Sequence, residues 1–242
     1  MPDRRSRRGP HPSDGELFAR DQHVALATAT AELSWLLTRG YAETASLKLV
    51  GDRHDLTARQ REAVARSACS DQALASRAAR QSGLDAGIDR LVIDGLNQLI
   101  TIESALSGGV VLVGRDGCCR DLASIHGTYR KVAQTPAAIR LVGQLARDHG
   151  VGQLDWLLDR PVSNSGRLAA LIEAELGEMK VRTVVSLVDD PDSLLVAESG
   201  IIATSDGPVL DRAGRWLGLA GEVITRHVPD AWRVDLQRAP KS

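Results

Sequence analysis

Two hydrophobic rhythms divide the chain. From Ser13 to about residue 82, apolar side chains recur at the three- and four-residue spacing of amphipathic helices. Past Ser82 and Gly83, short unbroken apolar runs alternate with helical stripes as far as about residue 228. The first rhythm predicts an all-helical module over residues 13–86. Ser13-x-x-Glu16 reads as a capping box opening one helix that runs to Arg39 and Gly40, and a second helix covers Ala42 to Leu49 before Gly51 and Asp52 break it. Thr57-x-x-Gln60 caps a third, with Ala63, Val64 and Ala68 as its apolar stripe.

The second rhythm, over residues 87–228, predicts a Rossmann-like α/β domain with a mostly parallel sheet and crossover helices. Strand-like runs are Leu91–Ile93, Val110–Val113, Trp156–Leu158, Val181–Val188 and Ile201–Thr204. Helices are expected at Leu96–Leu106, Thr135–His149, Ser163–Leu176 and Gly214–Thr225; Leu168, Leu171, Ile172 and Leu176 form a core-facing stripe. Residues 1–12, with Arg4, Arg5, Arg7 and Arg8, read as a disordered basic tail, and residues 229–242 as a C-terminal tail.

Four of these runs lead into an aspartate: Asp94-Gly95-Leu96-Asn97, Arg115-Asp116-Gly117, Asp159-Arg160 and Ser205-Asp206-Gly207. Ligands of open α/β sheets bind beyond the carboxyl ends of the strands, so these acids are expected to converge. Converging carboxylates repel one another or hold a cation. Asp94, Asp116, Asp159 and Asp206 are therefore candidate ligands for a hard cation such as Mg2+, with Asn97 as a neutral donor and acceptor beside them. The alternative for each is local turn or capping chemistry. The Val181–Val188 run ends in Asp189-Asp190-Pro191-Asp192, which reads as a solvated turn outside the site, kept out of helix by Pro191.

The segment Asp159–Arg167 is a strand-to-helix turn dense in hydrogen-bond donors. A helix N-terminus attracts anions, which makes Arg160, Ser163, Asn164, Ser165 and Arg167 candidate phosphate contacts; simple capping is the competing account. Arg115, Arg120, Arg130 and Lys131, interleaved with His126 and Tyr129, either track a nucleic-acid backbone or form a solvated loop. Lys48, Arg53, His54, Arg59 and Arg61 are equally ambiguous, and His54-Asp55 lacks the further histidines of a metal phosphohydrolase.

Composition narrows the chemistry. A length of 242 residues with 43% apolar content supports an ordinary core, and a net charge of -1 neither supports nor excludes RNA as a partner. Cys69, Cys118 and Cys119 lack the paired spacing of structural zinc and suit a reducing cytoplasm; the adjacent pair is either redox-active or two small apolar side chains. No signal peptide and no apolar run of membrane-spanning length is expected. No Gly-rich loop ends in Lys-Ser/Thr and no Gly-x-Ser-x-Gly elbow occurs, which demotes nucleotide kinases and serine hydrolases. An aromatic content of 3% leaves few platforms for stacking sugars.

Several longer words carry a resemblance: Lys48–His54, Arg59-Gln60-Arg61, Ile93–Asn97, Gly114–Gly117 with Arg120-Asp121, and Asp159–Gly166. They resemble an uncharacterised prokaryotic family, domain of unknown function four-hundred-thirty-four, over roughly Gly40 to Leu219. Asp94-Gly95-Leu96-Asn97 and Ser205-Asp206 also resemble, more distantly, the PIN-like and NYN nucleases. That resemblance implies a PIN-like α/β domain, an acid cluster holding magnesium or manganese, and cleavage of RNA. Asp94, Asp159 and Asp206 would hold the ion, with Asp116 or Asp211 completing the set and Glu103 a further acid on the first helix. Gly207–Asp211 stands where those enzymes carry a closely spaced second acid. The helical module would contact substrate, a protein partner or a second copy.

Overall fold

The computed structural model describes residues 8–85, 87–123, 129 and 131–237; Arg4, Arg5 and Arg7 of the tail, and His126 and Arg130 of the basic stretch, lie outside them. The helical module comprises α1 Asp14–Leu17, a 3-10 turn at Arg20–Gln22, α2 His23–Thr38, α3 Glu43–Arg53, α4 Ala58–Ser67 and α5 Asp71–Arg80. The single helix expected from Ser13 to Arg39 is thus broken near its start. Ser13 makes no cap: its hydroxyl bonds His11 Nδ1 at 2.7 Å, while the buried Asp14 carboxylate accepts from Arg59 Nε at 2.5 Å and Nη2 at 2.9 Å. The Thr57 box does form, Gln60 N donating to Thr57 Oγ1 at 3.3 Å and Thr57 N to Gln60 Oε1 at 3.0 Å. Helix α3 continues through Gly51 and Asp52 instead of breaking there, and Arg61 packs on the glycine: a Cβ would lie 2.5 Å from Arg61 Cζ.

The remainder runs β1 Leu91–Asp94, α6 Gly95–Leu106, β2 Val111–Val113, β3 Cys119–Asp121, α7 Thr135–Asp148, β4 Leu154–Asp159, α8 Ser165–Glu178, β5 Thr183–Val188, α9 Pro191–Ala197, β6 Ile201–Ala203, α10 Gly207–Arg212, β7 Arg215–Leu217, α11 Leu219–His227 and β8 Arg233–Asp235. Five strands form one all-parallel sheet in the order β5-β4-β1-β6-β7, with β1 at its centre. Burial on both faces explains the unbroken apolar runs. Leu91 and Ile93 of β1 pack with Trp156, Ile139, Ile172 and Val223 on one side, while Val92 packs with Ile202, Leu195, Leu210 and Trp216 on the other.

Four local expectations are corrected. β2 does not join the large sheet; it pairs antiparallel with β3 and parallel with β8 in a separate three-stranded sheet. β8 accordingly lies where a C-terminal tail was expected, and β7 occupies the start of the helix expected at Gly214. Pro191 opens α9 rather than preventing a helix, with Asp190 as N-cap accepting from Ser193 N at 3.0 Å. The small sheet and the helical module also share one core, in which Phe18, Leu26, Leu33 and Val64 meet Leu112, Leu122 and Val234. Helix α5 ties the module to the large sheet: Trp216 Nε1 donates to Arg77 O at 2.8 Å, and Arg80 reaches Leu210 O at 2.9 Å.

Candidate functional site

β1 delivers Asp94 to the carboxyl edge of the sheet, and Gly95 lets the chain turn at once into α6. A Cβ on Gly95 would lie 2.5 Å from Leu158 Cδ2 and 2.9 Å from Leu157 O, so β4 and α6 close on each other only because that side chain is absent. Asp94 is 7% exposed, and its Oδ2 accepts from Thr204 Oγ1 at 2.7 Å. The same hydroxyl accepts from Asp206 N at 3.1 Å, linking the ends of β1 and β6. Asp206 is also the N-cap of α10, its Oδ1 accepting from Val209 N at 3.1 Å. Asn97 reinforces the junction: its Oδ1 accepts from Ser205 N at 2.9 Å and Ser205 Oγ at 2.7 Å. That carbonyl is committed to holding the two strand ends in place.

Burial pushes the Asp94 carboxyl up to about 7, and the negative charges of Asp192, Asp206 and Asp159 act in the same direction against the Thr204 hydrogen bond. Asp192 is itself raised, by burial and then by Asp206, Asp159 and Asp190; burial and Asp190 raise Asp159. Asp94, Asp159, Asp192 and Asp206 therefore share one electrostatic locus at the ends of β1, β4, β5 and β6. The donors are all hard oxygens, the chemistry that magnesium and manganese take. Among the described residues, no three His, Cys, Asp or Glu side chains come together in a set that could hold an ion. The arrangement fits a cation held by one or two carboxylates with water around it, a coordination usual for magnesium.

The other expected acids lie elsewhere. Asp116 is in the β2–β3 turn, where its Oδ2 accepts from Arg77 Nη1 at 2.6 Å and Arg120 Nη2 at 2.7 Å, and its Oδ1 from Arg120 Nη1 at 2.8 Å. Burial alone would raise it, yet the Arg120 and Arg77 guanidiniums hold its carboxyl down at about 2. Asp211 Oδ1 accepts from Arg77 Nε at 2.7 Å. Glu103, fully buried two turns along α6, accepts from Tyr129 OH at 2.5 Å, Thr135 Oγ1 at 2.6 Å and Arg8 Nε. These three carboxylates are occupied by partners within the fold.

The donor-rich turn is largely exposed, but several of its donors are engaged within the fold. Asn164, with φ 73°, donates through Nδ2 to Tyr129 O at 3.0 Å, and Ser165 Oγ donates to Val162 O at 2.8 Å. Arg160 donates to Leu187 O at 2.6 Å and pairs with Asp189 at 3.1 Å, leaving Ser163 and Arg167 as the exposed groups with the fewest commitments. Arg115 bonds Cys69 O at 2.8 Å and Asp71 at 2.5 Å, and Arg120 Nε bonds Ser205 O at 2.7 Å. A cavity of about 660 Å3 separates the helical module from the acidic edge, with Cys69, Arg77, Asn97, Arg120, Ser205 and Asp206 in its wall. Burial pushes the Cys118 and Cys119 thiols up to about 12 and about 11, as small apolar core residues rather than redox thiolates.

Sequence reasoning missed Asp192 and Thr204. Asp192 lies in the first turn of α9, four residues beyond the end of β5, and Pro191 beside it is a helix-start signal as much as a turn signal. Thr204 directly precedes Ser205-Asp206, where a hydroxyl can reach the neighbouring strand end.

These features define a two-part α/β protein whose parallel sheet carries an acidic edge with a net excess of carboxylates. Residues 86–222 match the family described as Domain of unknown function (DUF5616), and the chain belongs to that family. Residues 25–80 match Protein of unknown function (DUF434). The resemblance over Gly40 to Leu219 is corrected accordingly: Lys48–His54 and Arg59–Arg61 fall within the second match, whereas Ile93–Asn97 and Asp159–Gly166 fall within the first. An uncharacterized protein of Methanocaldococcus jannaschii is 25% identical over 188 residues, covering 77% of this chain and 89% of its own. No solved structure matches the chain. Among the described residues, no helix is long and apolar enough to cross a membrane.

Proposed function

We propose that the acidic edge is the centre of a metal-dependent ribonuclease that hydrolyses RNA phosphodiester bonds with Mg2+ or Mn2+. The observation that supports it is the mutual repulsion of carboxylates: Asp94 is buried, raised to about 7, and acted on by Asp192, Asp206 and Asp159. Bringing in a cation relieves such repulsion. Asp94 and Asp206, joined through Thr204, would hold the ion with Asp159 and Asp192 acting across water. Such an ion lowers the pKa of its bound water and offsets charge developing on the phosphoryl group. Asp94 loses its proton in the neutral range, so binding strengthens as pH rises through about 7. Ser163 and Arg167 are the residues of the β4–α8 turn left to meet substrate phosphate.

The missing three-carboxylate set among the described residues favours, as the second reading, a noncatalytic RNA-binding protein. The test is to incubate wild type and Asp94→Asn with mixed RNA and DNA in magnesium, manganese or chelator. RNA shortened by wild type alone, and only with metal, is expected. Equal cleavage by both proteins, or none on diverse substrates, removes the nuclease reading. RNA affinity that ignores magnesium and survives the substitution supports the second, while altered mononucleotides in place of shortened RNA reassign the same residues to phosphoryl transfer.

A further inference from the structure

Among the described residues, the outermost strand of the large sheet, β5, is paired on one side only. Leu154 N donates to Arg182 O at 2.9 Å and Arg160 N donates to Val188 O at 2.8 Å, so the even-numbered residues of β5 face β4. Backbone groups in a parallel strand alternate sides, which turns those of Thr183, Val185 and Leu187 outward. Arg160 Nη2 occupies the Leu187 carbonyl at 2.6 Å, and Thr183 and Val185 carry the open part of the edge. The strand reads Thr-Val-Val-Ser-Leu-Val, without a charge or a proline, and Val184 is 47% exposed on it. Exposed edges of this composition are templates for strand pairing.

We propose that β5 pairs with the same strand of a second copy, antiparallel, across a two-fold axis at Val184. Thr183 of each copy then meets Val185 of the other in hydrogen-bonded pairs, and Arg160 stays on Leu187. The axis sets the two exposed Val184 side chains directly opposite each other in the close, non-hydrogen-bonded position, where β-branched pairs are favourable. Charge selects both the partner and the direction. Lys180 and Arg182 precede the strand, Asp189 and Asp190 follow it, and all four are exposed. Antiparallel pairing sets the basic start of one copy beside the acidic end of the other, whereas parallel pairing sets like beside like. The surface is thus complementary to itself, and the proposal does not depend on the nuclease reading.

Val185→Pro removes an outward N–H and leaves the bonds to β4 in place, a substitution suited to an edge strand. Light scattering at micromolar concentration should give twice the monomer mass for wild type and the monomer mass for Val185→Pro, with unchanged circular dichroism. Lys180→Glu combined with Arg182→Glu should weaken association by about tenfold or more, and mixing that protein with Asp189→Lys, which spares the Asp190 cap of α9, should restore a mixed dimer. A monomeric wild type, a folded Val185→Pro protein that still dimerises, or charge-exchanged proteins that fail to combine would overturn the proposal.

Discussion

Replacing Asp94 with Asn should stabilise the cation-free protein above neutral pH while abolishing the proposed activity. An aspartate in the unfolded chain releases its proton near 3.8, whereas burial and the facing acids raise the folded-state value to about 7. Between those values the folded protein holds a proton that the unfolded chain has lost. Wild-type stability therefore falls as pH rises through that window and stays reduced above it. At about 1.4 kcal/mol per tenfold, the difference between 3.8 and about 7 amounts to about 4 kcal/mol. That is a large fraction of the roughly 5–15 kcal/mol that holds a domain folded. Asn is close to isosteric, retains an acceptor for Thr204 Oγ1, and does not titrate. Denaturant unfolding in chelator from pH 4 to pH 9 should show wild type losing more stability toward pH 7 than Asp94→Asn, whose remaining slope comes from the raised Asp121, Asp159 and Asp192, the two converging near pH 4. Parallel curves, or a variant less stable than wild type at pH 8, would refute the electrostatic account. Added magnesium should narrow the gap by stabilising wild type alone, since a ligand of the folded state raises its stability by mass action.

The compensated acid predicts the reverse. Asp116→Ala leaves the buried Arg120 guanidinium without its counter-charge and Arg77 with Asp211 alone, and should cost about 3–5 kcal/mol in thermal unfolding at pH 7; an unchanged melt would show that the pair is not holding the fold. Thr57→Ala should lose about 1 kcal/mol, whereas Ser13→Ala, which makes no helix cap, should stay within about 0.5 kcal/mol of wild type. Gly95→Ala should lower stability by about 1–3 kcal/mol through overpacking against Leu158, read by the denaturant midpoint. Titration calorimetry with manganese should show affinity rising through about pH 7 in wild type. Asp192→Asn removes one of the charges that raise Asp94, so its rise should begin at lower pH; identical profiles would detach Asp192 from the site.

How much of this was legible in the sequence depends on how local the determining contacts are. β1, β4 and β6 were readable because burial in the sheet demands apolar runs, and β5 because its run of six residues carries no charge, although none of it is fully buried. The Thr57 box was readable because both of its hydrogen bonds close within four residues. β2 carries the same local signal as β1, yet Val111–Val113 pairs with Arg233–Asp235, far along the chain, and no pattern within Val110–Val113 specifies that partner. Ser13-x-x-Glu16 matches the motif of Thr57-x-x-Gln60 and fails for a tertiary reason: Arg59 draws Asp14 into a buried ion pair and fixes the chain there.

The same limit divides the acids, and the division bears on function. Asp94-Gly95 and Asp116-Gly117 are the same signal, an apolar run ending in Asp-Gly. Arg77, from a helix of the N-terminal module, reaches both Asp116 and Asp211, and Arg120 completes the neutralisation of Asp116. Among the described residues no arginine bonds Asp94, whose side-chain partner is the neutral Thr204 hydroxyl. One carboxyl is consequently held at about 2 and the other raised to about 7. A fold that places cations on two of its acids and leaves a buried third facing other carboxylates keeps a local excess of negative charge, at a stability cost unless a cation from solution offsets it. That asymmetry, more than the recurrence of aspartates at strand ends, singles out the Asp94 edge over the Asp116 turn.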